Sequence, residues 1–450
     1  MRRGVVAVAV LGAVLMATVS RAMAALLRLL RIAVPGRKAP WSELPPEMLA
    51  LVLSRLPSHT DRVRLRAVCR AWRSAARLQP LPPLLPWLFL CGDTFVTLPD
   101  GARHRIRKPL DCNGMLSSVI PTGSMLFLVH SNGSCYLMNP CSGETTPLHI
   151  ESSMLPIDLG CRSHNWIRKV VVSDRIVAVP HSGMVTIFGR RAWHCADQQG
   201  LTLTNQESQS TIFRARPMPM PGARSCLLPP ASTPVASDIA LFQGELYSLA
   251  KKHSDSGSES ELPELHRLEI GDEQNRIRSV RCISGTPRNR VPDPGLPAGQ
   301  TWCFSSYLVG CGNRLLMVER QTVEQVPLPV GSSRPIQTQF EVWEAVNLIG
   351  GSHGRWSKVN TLMGHALFVS RGCSQSLPAA QCGAQEDCIY FVTGSGYAGF
   401  VPRRLRKPED DVLDCVVYNL RDRTMEPLTL ETRAGTAGPW DPTWLFPVHA

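Results

Sequence analysis

Two different periodicities divide this chain of 450 residues. Between Leu44 and Arg77 the apolar positions advance at helical spacing. After the Pro80-Leu81-Pro82-Pro83 stretch they come in short runs separated by turn-forming residues. Pro45 and Pro46 suit the first turn of a helix, where a missing N–H costs nothing. Met48, Leu49, Val52, Leu53 and Leu56 then lay one apolar stripe along it, and Pro57 ends it. Ser58-His59-Thr60-Asp61 sets a serine three residues ahead of an acid, close to a capping box for a second helix. Leu65, Val68, Cys69 and Trp72 supply the next apolar face. Arg62, Arg64, Arg66, Arg70, Arg73 and Arg77 fill the solvated positions. A module this short buries little surface alone. The pattern fits either a three-helix subdomain packed on a larger body or a unit completed by a second protein.

The remainder reads as short strands. Met125–His130, Ser134–Asn139 and Thr146–Ile150 form one meander, joined by Ser131-Asn132-Gly133 and Pro140-Cys141-Ser142-Gly143. Val170–Val179 and Met184–Phe188 repeat it around His181-Ser182-Gly183. Asp238–Phe242 pairs with Glu245–Ala250 across Gln243-Gly244, and Ser306–Val309 with Leu315–Glu319 across Cys311-Gly312-Asn313. Cys388–Val392 and Val412–Asn419 follow. Such units recur at irregular intervals, often of about 40–60 residues, near the length of a propeller blade. Spacing alone leaves a β-sandwich pair or two unrelated β-domains equally open. The 34 Gly and 37 Pro agree with a loop-rich all-β body.

Charge changes the picture once it is located. The formal net charge is +12, but residues 1–42 hold seven Lys/Arg and no acid, and residues 43–85 add +4. The large region is left near neutrality, which argues against a nucleic-acid-binding surface there. The 15 Cys include no CxxC pair, so reduced, buried thiols are expected. Val5–Val19 is apolar between Arg2-Arg3 and Arg21, short for a spanning helix. With Ala22-Met23-Ala24 it fits a secretory signal. The acid-free, basic stretch over residues 5–34 also fits a transit peptide or a weak membrane-surface helix. A cytoplasmic or nuclear protein is the favoured reading. A secretory, mitochondrial or membrane-anchored one is the alternative.

Candidate chemistry is sparse. Gly394-Ser395-Gly396-Tyr397-Ala398-Gly399 spells GxGxxG, but Pro402 stands where a dinucleotide fold needs a helix. Gly350-Gly351-Ser352-His353-Gly354 spells GxSxG without the following helix of a nucleophile elbow. Both read better as turns. Cys373, Cys382 and Cys388 with His365 match no structural zinc spacing. The Arg403–Lys407 basic cluster abuts Glu409-Asp410-Asp411 and reads as a solvated loop. No catalytic residue, metal or cofactor is expected.

Residues Trp41–Ala76 resemble the F-box, through the LPPEML start at Leu44–Leu49 and the VCRAWR end at Val68–Arg73. F-box modules dock the small Skp-type linker subunit of a cullin-RING ubiquitin ligase. The resemblance therefore implies a docking surface of Leu44, Pro45, Pro46, Glu47, Leu49, Val52 and Leu53 with Val68, Cys69 and Trp72. Leu56 and Leu65 are assigned to the module's own core.

The C-terminal region is similar to the kelch-like β-propeller of plant KIB-type F-box proteins. The matching pieces include Asn139-Pro140-Cys141-Ser142-Gly143, Ser237–Leu249, Tyr307–Val309, Phe340–Trp343, Leu367–Val369, Ile389–Phe391 and Trp444–Pro447, in that order. Cys141 departs from the Phe usual in that turn. Residues 194–236 and 251–264 match poorly and leave the blade count open. The expected architecture is a small all-α three-helix F-box followed by a large all-β propeller-like domain. Its expected parts are a tail (1–40), the F-box (41–77), a Pro-rich linker (78–87) and the propeller (88–449).

The resemblance implies a non-catalytic substrate-recognition adaptor of an SCF-type ubiquitin ligase. Its partners would be the linker, through it a cullin, and an unknown substrate protein. The alternatives are an organelle- or membrane-targeted propeller without a ubiquitin role, and a propeller enzyme or small-ligand binder.

Overall fold

The computed structural model describes residues 44–446 apart from 55–58, 79–84, 92, 99–100, 102, 107–115, 131, 133, 149–168, 174–175, 182–183, 190–200, 203–234, 252–261, 271–276, 286–299, 326–336, 349–353, 394–413 and 429–441. The chain divides into two compact units, one holding three helices near residue 60 and one beginning at Pro82 that holds the sheets.

The helical unit comprises α1 (Pro46–Ser54), α2 (His59–Val68) and α3 (Arg70–Leu78). Pro46 opens α1, and the Pro45 carbonyl accepts the Met48 and Leu49 amides at 3.0 and 3.1 Å. Leu49 and Leu53, four residues apart, point inward and close on Leu65 of α2 and Ala75 and Ala76 of α3. Burying each leucine contributes about 1.5–3 kcal/mol. The chain breaks between α2 and α3 at Cys69, whose sulfur accepts the Trp72 amide at 3.4 Å. Cys69 thus stands where serine or aspartate usually caps a helix. Leu65 is in the core, as expected; Leu56 lies outside the described residues.

The second unit holds six sheets among the described residues, each a meander of consecutive strands except at two places. The first sheet takes Trp87–Cys91, Thr94–Val96 and Arg103–Arg105, and adds Thr443–Leu445 from the other end of the chain. Leu116–Thr122, Met125–His130, Cys135–Met138 and Thr145–Leu148 make the second. The third has Val171–Val172, Ile176–His181, Met184–Gly189 and Leu201–Thr202. Val235–Phe242, Glu245–Lys251, Glu264–Ile270 and Ile277–Ile283 form the fourth, and Gln300–Cys311, Arg314–Gln325, Gln337–Val346 and Arg355–Val359 the fifth. In the sixth, His365–Val369 pairs in parallel with Cys388–Thr393, and Gln375–Pro378 is added on its free edge. The short helix α4 (Ala379–Cys382) fills that crossover, and Asp414–Asn419 and Met425–Pro427 complete the sheet.

Successive sheets pack face to face, so their middle strands are buried on both sides. Tyr307 and Val309 face the sixth sheet, while Leu308 faces the fourth. This explains why the strands read as continuous apolar runs instead of alternating ones. The Gln243-Gly244 turn has positive φ at both residues, 52° and 82°, which matches a tight hairpin. In the Asn139–Gly143 turn, Asn139 Oδ1 accepts the Cys141 amide at 2.9 Å and the Ser142 amide at 3.3 Å. Cys141 then packs on the core of the first and second sheets, in the place the resemblance gives to Phe.

Two strand expectations differ from the structure. Val170–Val179 is two strands, Val171–Val172 and Ile176–His181, folded on each other. Ser306–Val309 and Leu315–Glu319 extend into twelve-residue strands, Gln300–Cys311 and Arg314–Gln325. Past the expected end at Glu319, Gln321 is buried: its Nε2 donates to Glu319 at 3.0 Å, and its Oε1 accepts Gln339 Nε2 at 2.8 Å. Such a ladder satisfies amides and carboxylate on a face that apolar counting cannot recognise.

Candidate docking surface

The helical unit separates the expected docking residues into three groups. Leu49 and Leu53 are core, at 1% and 0% exposure. Leu44, Val52 and Trp72 are half-buried and pack against that core. Cys69 is half-buried and caps α3. Pro45, Pro46, Glu47 and Val68 are exposed. Two further apolar side chains join the exposed set, Met48 at 37% and Leu51 at 49%, beside Val68 at 60%.

Met48 and Leu51 are three residues apart, so they share one side of α1, away from the Leu49–Leu53 pair. Leu51 was the readable signal missed in the sequence, an apolar residue outside the stripe that builds the core. The surface therefore carries Pro45, Pro46, Met48, Leu51 and Val68. Arg64, Arg70, Arg73 and Arg77 are exposed on the same unit, and Arg73 Nε donates to the Arg66 carbonyl at 3.2 Å. Exposed apolar side chains on a unit that also exposes guanidinium groups can bury against a partner and steer acidic groups toward it.

An F-box-like family model matches residues 41–79, and a KIB1-4 beta-propeller model matches residues 95–419. The chain belongs to the KIB1-4 beta-propeller family. An F-box protein of Arabidopsis thaliana is 33% identical over 126 residues, covering 25% of this chain and 33% of that protein. Another from the same plant is 46% identical over 39 residues, 9% of this chain and 12% of that one. The chain thus matches a third or less of the length of these relatives. The N-terminal domain of Nup159 aligns over 75% of this chain and 74% of that one, at 10% identity and a TM-score of 0.22.

The other sequence motifs fall as follows. Of the GxSxG residues only Gly354 is described. A Cβ there would lie 2.6 Å from the Cys282 carbonyl oxygen. Gly354 also pairs with Ile283 in a parallel bridge, so this glycine allows two sheets to touch. The GxGxxG stretch, the Arg403–Lys407 cluster and residues 1–40 lie outside the described residues. Cys373, Cys382 and Cys388 are all buried in the core between the first and sixth sheets. Burial raises the Cys388 thiol to about 11 and the Cys382 thiol in the same direction. Among the described residues no three His, Cys, Asp or Glu side chains group as metal ligands, and no helix is long and apolar enough to cross a membrane. Trp356 and Trp444 are core residues with their indole N–H groups bonded to carbonyls.

Proposed function

We propose that this protein is a substrate-recognition adaptor of an SCF-type cullin-RING ubiquitin ligase. In this reading the unit within residues 41–77 docks a Skp-type linker, residues 78–87 connect, and the propeller of residues 88–449 holds a substrate protein. The observation that supports it is the set of exposed apolar side chains, Met48, Leu51 and Val68, on a helical unit that an F-box-like model matches. Leu49 and Leu53 would set the shape of the docking surface from within. Pro45, Pro46, Glu47, Met48, Leu51 and Val68 would make the contact, with the half-buried Leu44, Val52 and Trp72.

No residue of the chain then acts as acid, base or nucleophile. The adaptor accelerates transfer by raising the local concentration of a substrate lysine near a charged conjugating enzyme. Such a protein meets its partners in the cytoplasm or nucleus.

The test is co-purification of the full chain with a plant Skp-type subunit. A Pro45→Ala, Leu51→Ala, Val68→Ala triple variant should bind roughly tenfold or more weakly, as loss of central interface anchors does. Its thermal unfolding should remain that of the wild type, since all three positions are exposed. Wild-type protein that captures no linker, or a triple variant that binds unchanged, overturns the reading.

A further inference from the structure

The helix α3 has two unlike sides. One buries Ala75 and Ala76 in the core of the helical unit, with Trp72 half-buried beside them. At about 100° per residue, Arg70, Arg73, Ser74 and Arg77 fall on the opposite side. All four are exposed. The helix reads RAWRSAARL and contains no acid. Three guanidinium groups therefore stand in a row about 10 Å long. Arg73 Nε donates to the Arg66 carbonyl at 3.2 Å, which holds that side chain without removing its charge. Like charges three and four residues apart weaken a helix. The row is thus unfavourable for the unit alone, and carboxylates on a partner would relieve it.

The row begins beside the exposed apolar side chains. Val68 ends α2 at 60% exposure, and Arg70 opens α3 two residues later. Their Cα atoms lie within about 7 Å of each other, comparable to the Debye length of about 8 Å at physiological salt. A partner seated on Val68 would therefore lie in the field of the row. Over about 10 Å, duplex DNA carries roughly six phosphates, twice the charge the row could match. Val68 would also find nothing apolar to bury against on a phosphate backbone. A protein surface that sets carboxylates beside an apolar groove answers both features.

We propose that Arg70, Arg73 and Arg77 are the electrostatic half of the docking surface and fit an acidic face on the Skp-type linker. This role rests on the helical unit being the site of that linker. The row would set how fast the complex forms, and the apolar side chains how long it lasts.

The experiment measures association and dissociation rates of the full chain with a plant Skp-type subunit, at about 0.05 and 0.3 M salt. Wild-type association should slow about tenfold or more over that range. A chain carrying Arg70→Gln, Arg73→Gln and Arg77→Gln should associate about tenfold more slowly at low salt and lose most of the salt dependence, with dissociation within about threefold of wild type. Arg70→Lys, Arg73→Lys and Arg77→Lys together should keep the wild-type rate and salt dependence, although that chain also loses the Arg73 Nε bond. Ser74→Glu sets a carboxylate into the row and leaves Arg73 in place. It should slow association in the same direction, and it carries the comparison should the triple Arg→Gln chain fail to fold. Wild-type association that ignores salt, a triple Arg→Gln chain as fast as wild type, or a triple Arg→Lys chain as slow as the Arg→Gln one would each overturn the row while leaving the docking site standing. An unchanged linker rate with loss of binding to phosphatidylserine vesicles would reassign the row to a membrane. Wild-type protein that captures no linker at either salt would overturn the docking site itself, and the row with it.

Discussion

At Gly354 a single missing methyl group decides whether two sheets can touch. The nearest atoms to an added Cβ are the Cys282 carbonyl oxygen at 2.6 Å and Ile283 Cγ1 at 3.0 Å. The first is backbone and cannot swing aside, because Ile283 is bridged to Gly354 itself. Gly354→Ala should therefore cost about 1–3 kcal/mol, the range for overpacking a close contact, and lower the thermal midpoint by several degrees in a calorimeter. An unchanged midpoint would mean that the strands slide apart without loss. In the sequence the same glycine belongs to a GxSxG string that could be weighed as a nucleophile elbow. The absence of a following helix in the sequence argues against that elbow. Its partner, Cys282, stands 72 positions earlier, and no local pattern reports such a distant approach. The helical unit gives a similar lesson. Apolar spacing located the stripe but did not say which leucines face inward; Leu49 and Leu53 do, and Leu51 does not.

The sixth sheet shows what one buried side chain does for an element. Its parallel crossover leaves Asp387 at positive φ, 56°, fully buried. The carboxylate accepts the Leu362 amide, Thr361 Oγ1 at 3.0 Å and two nitrogens of Arg421. Burial pushes the Asp387 carboxyl up, but the Leu362 amide, Arg421 and Thr361 together hold it below its ordinary value. A group depressed on folding contributes stability that is complete above its unfolded pKa of about 3.9 and is lost as pH falls through the lower folded value. Asp387→Ala should cost about 3 kcal/mol at neutral pH, since it strands a buried amide and frees a guanidinium that is itself largely exposed. The gap between variant and wild-type thermal midpoints should hold from pH 8 to pH 5 and narrow below about pH 4. A gap that widens in acid would contradict the assignment. Element boundaries were legible where turn chemistry is strong, as at Gln243-Gly244. They were lost where it competes with an apolar run, as in Val170–Val179, which hides two strands, Val171–Val172 and Ile176–His181, that pair with each other. The fifth sheet was under-read for the opposite reason. Past Glu319, Gln321 looks solvated in sequence but is buried, bonded to Glu319 and Gln339.

For the whole molecule the order of the β-rich pieces could be read from resemblance, while the number of sheets could not. The third sheet ends in Leu201–Thr202, inside the polar stretch where apolar runs are faint. The closing strand is the other long-range feature, and it sets a testable property of the ring. Trp87–Cys91 bonds to Thr443–Leu445, more than 350 positions away, so the first sheet gains its fourth strand only when both ends of the domain meet. Trp444 is fully buried, and its indole N–H is shared by the Val369 and Tyr390 carbonyls of the sixth sheet. The same residue thus joins the first sheet to the last. Closure by radial packing removes exposed sheet edges. Removing the closing strand would bare one edge of Trp87–Cys91 and open a Trp-sized void against Phe368 and Tyr390. Trp444→Ala should cost about 3–5 kcal/mol, the usual range for a buried tryptophan. A chain ending at Asp441 should lose the single cooperative unfolding transition of a closed ring and self-associate in size-exclusion chromatography. Trp444→Phe, which keeps most of the ring volume but not the N–H, should lie between the wild type and Trp444→Ala. A truncated chain that stays monomeric and unfolds with the wild-type midpoint would mean that the ring closes without its last strand. The stability of the ring would then have to reside in the five sheets that do not contain it.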